Sequence, residues 1–197
     1  MLCKIKRIFA GYMKLIDFIH NRILRREFDR FVAKRRPTIM PRLDRPIALT
    51  FILEDISKQT ISDIKSIARN VFGQVHCRFV ILTDEMSDSI LQSDSYCEIT
   101  PKNFNFLHLI KAEAKDDLDK IATSHVLINM ARKNPELSDY ISIMVKAQFR
   151  CCFQSGSNDR LYDLFINTPQ NSSPVTNTKI LHDYLEAISG TKTPTEK

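Results

Sequence analysis

Glycine is scarce in this chain, and the few glycines are far apart. The 197 residues include only Gly11, Gly73, Gly156 and Gly190. Clustered glycines let backbone amides approach a pyrophosphate in a G-x-G-x-x-G turn, or surround phosphates in a Walker loop. The sequence therefore disfavours dinucleotide binding of the Rossmann type and nucleotide hydrolysis of the P-loop type. The G-x-S-x-G turn that carries a nucleophilic serine in α/β-hydrolases is missing as well.

The cysteines show neither disulfide nor zinc spacing. They are five in number, which is odd, and include no C-x-x-C pair, so free thiols in a reducing compartment are expected. Cys77 follows His76, but no second pair stands at the distance that a zinc site needs. The adjacent Cys151 and Cys152 should point to opposite faces of a strand and so cannot chelate one ion. We predict no metal and no cofactor.

Long hydrophobic runs are also absent. No stretch of 18 apolar residues occurs, so the sequence predicts no transmembrane segment. Near the N-terminus, Lys14 and Asp17 interrupt the apolar residues, and no A-x-A-like cleavage site follows, which argues against an export signal. These features predict a cytoplasmic protein, either free or peripheral to the inner membrane.

Positive charge is concentrated at the start of the chain. The formal net charge is +6, yet residues 1–46 hold 13 Lys and Arg against 4 Asp and Glu, a net charge of +9. The remaining residues hold 16 against 19, a net charge of −3. The basicity therefore belongs to an N-terminal arm and not to the body of the protein.

Apolar residues recur at intervals of three and four through residues 1–36, which predicts a basic amphipathic helical arm. Pro37 and Pro41 should end the helix, so residues 37–46 form a linker. The arm has three open interpretations: it contacts the body or a protein partner, it lies on an anionic membrane surface, or it binds nucleic-acid phosphates. The last interpretation lacks the interleaved aromatic residues of RNA-binding motifs. The candidate contact residues are Lys4, Lys6, Arg7, Lys14, Arg22, Arg25 and Arg26.

Strands and helices alternate in the body, residues 47–190. Continuous apolar runs predict buried strands, and segments with helical spacing lie between them. A strand, a crossover helix and a second strand require a parallel pair. We therefore predict a three-layer α/β/α sandwich with a mostly parallel, Rossmann-like sheet, followed by a flexible tail at 191–197. The predicted strands are 47–53, 77–83, 95–100, 125–131, 149–153 and 161–167, and the predicted helices lie near 57–73, 87–93, 112–121, 137–145 and 175–188.

Polar residues follow several predicted strands, where doubly wound sheets bind their ligands. An acid at the end of the second strand could hold a ribose hydroxyl, and the loop after 149–153 offers groups for a phosphate or a sugar. The alternative is structural, because Gly, Ser, Asn and Asp are common in tight turns and an aspartate can cap a helix. The candidate ligand residues are Asp84, Asn129, Ser155, Ser157, Asn158, Asp159 and Arg160.

Asp163 is a separate case, because it alternates with Leu161 and Phe165 in the last predicted strand. That position favours a structural carboxylate over a general base. We expect its partner to be Arg160 or Arg150.

Several segments carry a resemblance to a known family. They are the basic helix that ends in AKRRP, the stretch KNFNF, the segment IMVKAQFRCCF and, above all, NDRLYDLFINT. Together they resemble an uncharacterised family of Bacteroidetes proteins, the domain of unknown function DUF6913, over nearly the whole chain. The resemblance implies a bacterial cytoplasmic α/β protein and names no reaction.

These observations predict a non-enzymatic binding or interaction module, docked to a protein partner or to the anionic inner-membrane surface through its basic N-terminal helix. The first alternative is an enzyme or small-ligand-binding protein of the nucleotide or sugar-phosphate type, which uses the loops at the strand ends. The second alternative is a factor associated with RNA or the ribosome.

Overall fold

The strands of this protein alternate with helices in the predicted order. In a computed structural model of the chain, the structure describes residues 19–35, 38, 42, 45–84, 95–121, 124–153, 158–169 and 171–189. The strands are β1 (Ile47–Glu54), β2 (Val75–Leu82), β3 (Tyr96–Ile99), β4 (Ser124–Asn129), β5 (Ala147–Cys152) and β6 (Leu164–Phe165). The helices are α1 (19–34), α2 (Lys58–Phe72), α3 (Ala112–Lys120), α4 (Pro135–Met144) and α5 (Pro174–Ser189).

The six strands form one sheet in the order β3-β2-β1-β4-β5-β6, and all neighbouring pairs are parallel. The prediction of a parallel α/β sandwich is confirmed. Strand β1 lies next to β2 and β4, and all but one of its residues are buried. That burial on both faces explains its continuous apolar sequence. The strand order reverses direction between β1 and β4, which is the topological switch point of this sheet.

The two faces of the sheet are covered by different helices. Phe51, Phe79 and Cys151 belong to one hydrophobic cluster, which is completed by buried residues of α2 and α5. Ile52 and Val80 point to the opposite face, where α3 and α4 complete the cluster. Alternate residues of each strand therefore point into two separate hydrophobic cores, one on each face of the sheet. The prediction that the adjacent cysteines point to opposite faces is confirmed, because Cys151 and Cys152 lie in different clusters.

Helix α1 packs on the body on the same side as α4. Its residues Phe28, Phe31 and Val32 contact a small cluster that contains Cys152 and Tyr162. Leu24, one to two turns earlier, is 7 % exposed. Most of the apolar face of the described part of the arm is therefore covered by the protein itself, while Ile19 is exposed.

The end of α1 is held by Asp163. Its carboxylate accepts hydrogen bonds from the Arg35 guanidinium, from the Thr38 hydroxyl and, at 2.8 Å, from the backbone N–H of Arg150. The expectation of a structural carboxylate is thus met, and Arg150 is a partner through its backbone N–H, but the ion pair is formed with Arg35. Arg160 pairs instead with Asp29 of α1 at 3.4 Å.

The predicted strand 161–167 is shorter than expected. Residues Asp159–Leu161 form a 3-10 turn, and only Leu164–Phe165 pair with β5. The cause is local, because the Asn158 side chain caps the turn by accepting a hydrogen bond from the Arg160 N–H at 3.1 Å. Asparagine side chains stabilise such turns at the expense of extended backbone.

Some sequence predictions fall outside the described residues. They concern the helix expected at 87–93, the tail 191–197 and the candidate residues Lys4, Lys6, Arg7, Lys14, Ser155 and Ser157. Among the helices that are described, none has the length and apolar composition that a membrane span requires.

Candidate functional site

A cavity of about 750 Å³ opens at the carboxyl edge of the sheet. Its floor is made by the ends of β1, β2 and β3, and its walls are α1, the loop that follows β3, and the start of α4. Apolar side chains line part of it: Leu24, Leu82, Ile99, Phe104 and Leu137. The cavity borders the switch point, where two neighbouring loops diverge and leave a crevice.

Glu54, the last residue of β1, fills the anion site that this topology creates. The loop between β4 and α4 presents three backbone N–H groups, and all of them donate to the Glu54 carboxylate: Arg132 at 2.6 Å, Lys133 at 2.7 Å and Asn134 at 3.0 Å. Such amide groups at a helix N-terminus are a common site for a phosphate. Here the chain supplies its own carboxylate to that position.

Two residues with strained backbone lie at the cavity. Asp55 (φ 43°) and His108 (φ 56°) are the residues other than glycine with positive φ in the described part of the chain. Both line the cavity. Left-handed backbone costs a residue with a side chain on the order of 1 kcal/mol or more, and such residues cluster at ligand sites.

Lys133 lines the cavity, and its ammonium group forms an ion pair with the carboxylate of Asp55. The hydrogen bond and ion pair with Asp55 raise the pKa of Lys133, so its amine is protonated at neutral pH. A protonated amine has no lone pair for attack on a carbonyl group. Lys133 is therefore suited to electrostatic contact and not to covalent chemistry.

Two histidines face each other across the cavity wall. Nδ1 of His20, on α1, lies 2.9 Å from the carbonyl oxygen of Leu107, and the ring centroids of His20 and His108 are 5.6 Å apart. A carbonyl oxygen can only accept, so Nδ1 of His20 carries a proton. In the neutral ring Nε2 is then a hydrogen-bond acceptor.

Tyr140 of α4 supplies a buried hydroxyl to the same cavity. The residue is 4 % exposed, and its oxygen accepts a hydrogen bond from the Ile110 N–H at 3.4 Å. Burial raises the pKa of Tyr140, so the phenol keeps its proton. Across the part of the chain that the structure describes, no acceptor lies within hydrogen-bond distance of that proton.

The residues predicted from the sequence are divided among three places. Asp84 follows β2 and lines the cavity. Asn158, Asp159 and Arg160 lie near the 3-10 turn before β6, where Asn158 and Arg160 make structural contacts. Asn129 is fully buried between β4 and α4. The structure does not bring these residues together.

Asn129 belongs to a buried polar network. Its amide group donates to the Ser138 hydroxyl at 3.0 Å and to the Tyr162 hydroxyl at 2.7 Å, and its oxygen accepts from the Ala131 N–H at 3.1 Å. Tyr162 in turn donates to the buried carboxylate of Asp139 at 2.6 Å. Each of these groups is used inside the protein, which gives Asn129 a structural role.

Three of the described cysteines are protonated. Burial raises the pKa of Cys77 to about 11 and of Cys97 to about 12, and it also raises the pKa of Cys151. Since the thiolate is the nucleophile and the metal ligand, these thiols are unreactive at neutral pH. Within the described ranges no three His, Cys, Asp or Glu side chains converge in a way that could hold a metal ion.

Sequence reasoning missed most of the cavity. Glu54 ends β1 and Asp55 follows it, much as Asp84 follows β2, so the search at strand ends could have found them. His20 and Tyr140 come from helices, His108 from an irregular loop, and no local pattern marks them. They were missed because their proximity depends on how distant segments pack.

Comparison with known proteins identifies a family. The model of a family of unknown function, DUF6913, matches residues 20–188, which is most of the chain and includes both α1 and the sheet. Neither a curated protein nor a solved structure matches.

Proposed function

We propose that this chain, which belongs to the family of unknown function DUF6913, is a small-molecule-binding protein whose ligand occupies the cavity at the carboxyl edge of the sheet. The observation that carries the proposal is the cavity itself. Its volume of about 750 Å³ falls within the range of roughly 300–1,000 Å³ that is usual for ligand pockets. Apolar walls and a few convergent polar groups are also typical of such sites.

Binding without covalent catalysis fits the groups that are present. The amine of Lys133 is protonated, and the pKa of each described cysteine with a resolved shift is raised. These groups lack the lone pair or thiolate that nucleophilic catalysis needs. The histidines and Tyr140 can still donate and accept hydrogen bonds, which suits recognition of a polar ligand.

Narrowing the cavity from α1 tests this proposal. Asn21 lines the cavity and is exposed, so Asn21→Trp adds bulk at the site without disturbing the core. Ala33→Trp is the matched control, because Ala33 is exposed on the same helix, about 18 Å further along its axis. A library of fragments is screened against the three proteins by saturation-transfer NMR.

We expect a set of fragments that bind the wild type and Ala33→Trp equally and bind Asn21→Trp at least about fivefold more weakly, since an indole fills a large part of a fragment-sized volume. Fragments that bind all three proteins alike, or the absence of any bound fragment, would show that the cavity is not a ligand site.

A second function is favoured by the outer face of α1. Arg22, Arg25 and Arg26 are exposed there, while Leu24 and Phe28 turn to the body. We propose that this face docks on an anionic membrane surface mainly by charge, because most of the apolar face of the described helix packs on the body.

Co-sedimentation with vesicles of equal parts phosphatidylcholine and phosphatidylglycerol tests the docking function. Each cation near such a surface contributes about 1 kcal/mol, so the triple change of Arg22, Arg25 and Arg26 to Gln should weaken binding by roughly 100-fold. The control removes the same charge elsewhere on the surface, at Lys58, Lys115 and Lys179, and should have a much smaller effect. Equal losses in both variants, or binding that ignores the anionic lipid, would exclude docking through α1.

A further inference from the structure

The charges that the described residues place around the cavity are mostly negative. Of those residues, four supply carboxylates, Glu54, Asp55, Asp84 and Glu136, and Lys133 supplies the one ammonium group. Glu54 is satisfied by three backbone amides and Asp55 by Lys133. Asp84 and Glu136 also line the cavity, are exposed and form no ion pair with another described residue, although the charge of Asp84 acts on Lys133 as well.

One position where an anionic ligand could bind is already occupied. Amides near the start of a helix beside the switch point can hold the phosphate groups of a ligand, and the loop between β4 and α4 is such a place. Here Glu54 accepts from three N–H groups of that loop. A phosphate would have to displace a carboxylate and would then lie close to Asp55. Its binding is therefore disfavoured by both lost hydrogen bonds and repulsion.

Among the other described polar residues of the lining, which include Asn21 and Asn105, several groups can accept hydrogen bonds from a ligand. Nε2 of His20 accepts in the neutral ring, and the carboxylates of Asp84 and Glu136 accept as well. Tyr140, which is buried and lines the cavity, has a hydroxyl proton that meets no acceptor among the described residues and so can donate to a ligand. Leu24, Leu82 and the other apolar residues supply surface for a hydrocarbon or aromatic body.

From this arrangement we infer that the ligand is an organic amine that is protonated at neutral pH and has an apolar or aromatic body, and not a nucleotide or a sugar phosphate. The inference rests on the proposed ligand-binding function and names the class of molecule for the same cavity. The ammonium group lies between Asp84 and Glu136, and an acceptor atom on the body of the ligand receives the Tyr140 proton.

The experiment uses three size-matched sets of aromatic fragments. They carry a primary amine, an acetamide in its place, or a carboxylate in its place, and each set is screened by saturation-transfer NMR at pH 7.5 in low salt. A fragment is assigned to the cavity when Asn21→Trp weakens its binding and Ala33→Trp does not. We expect amines to bind at least about tenfold more tightly than the matched carboxylates, because opposite charges attract and like charges repel at this site.

Neutralising the two carboxylates provides the second measurement. Asp84→Gln and Glu136→Gln together should weaken the binding of the amines by about tenfold, while the affinity for the acetamides should change by less than about twofold. Both side chains are exposed, so neither change disturbs the core. The control is Asp116→Gln with Glu113→Gln, two exposed carboxylates of α3 that do not line the cavity. It should leave amine binding unchanged.

The outcomes separate the two ideas. The amine inference would be overturned if, among fragments assigned to the cavity, the carboxylates bound more tightly than the amines. It would also be overturned if amines still bound more tightly after Asp84 and Glu136 were replaced. Either result would leave the ligand-binding proposal intact. The absence of any fragment assigned to the cavity would overturn both.

Discussion

Replacing Arg150 with alanine should lower the free energy of unfolding by about 3–5 kcal/mol, an effect large enough to reduce the melting temperature by roughly 10 °C. Arg150 lies in β5 and is 3 % exposed. Its guanidinium donates to the carbonyl oxygens of Ser142 and Val145, the latter at 2.6 Å, and so caps the C-terminal end of α4. The variant leaves both carbonyls buried without these donors.

The same guanidinium also connects the body with α1. It stacks on the ring of Phe31 with 4.6 Å between its central carbon and the ring centroid. Burial, with a smaller contribution from Arg35, lowers the pKa of Arg150 to about 10, so the group remains charged at neutral pH. Loss of the charge and of the stacking should therefore loosen α1 as well as α4.

Arg160→Ala is the matched control. Arg160 belongs to the same region, but its side chain is 59 % exposed and meets an equally exposed Asp29 at 3.4 Å. Such surface pairs contribute at most about 1 kcal/mol. Urea unfolding followed by circular dichroism measures both variants. If Arg150→Ala cost no more than the control, the capping role of Arg150 would be refuted.

Asn129→Ala should destabilise the protein by about 2–4 kcal/mol, because it removes a buried amide that makes three hydrogen bonds. The Ala131 N–H then has no acceptor in a site that excludes water. Tyr162 keeps its hydrogen bond to Asp139 and its contact with the Ser142 hydroxyl but loses the amide donor of Asn129. Asn21→Ala, an exposed asparagine, should change stability by less than about 0.5 kcal/mol.

A double-mutant cycle tests whether the loss of stability in Asn129→Ala includes the hydrogen bond between Asn129 and Tyr162. Tyr162→Phe removes the phenol that accepts from Asn129, so the two changes together should cost at least about 0.5 kcal/mol less than the sum of the single changes. Strict additivity would mean that the pair does not interact. Fragment binding gives an independent readout, because a structural asparagine lowers stability and leaves the cavity unchanged. A stable Asn129→Ala protein with weaker fragment binding would restore the role of ligand residue that its sequence position had favoured.

The segment NDRLYDLFINT, the most specific motif of the sequence, has a structural role. Tyr162 and Asp163 lie at the centre of the NDRLYDLFINT segment, and the structure gives both of them structural partners. Tyr162 donates to Asp139 inside the network, and Asp163 holds Arg35 at the end of α1. The position of α1 in turn defines one wall of the cavity through His20 and Leu24. The motif thus supports the site without forming it.

The sequence alone determined the alternation of strands and helices, the parallel sheet and the opposite directions of Cys151 and Cys152. These features depend on the periodicity of burial within one element, which a local pattern of apolar residues records. Sequence also excluded a glycine-rich phosphate loop. Tertiary structure decided the rest. His20 contacts a backbone carbonyl 87 positions away, and Arg35 pairs with a carboxylate 128 positions away. Glu54 accepts hydrogen bonds from backbone amides about 80 residues further along the chain. Such contacts form only when helices and loops dock on the finished sheet, so no spacing within the sequence could reveal the cavity that they create.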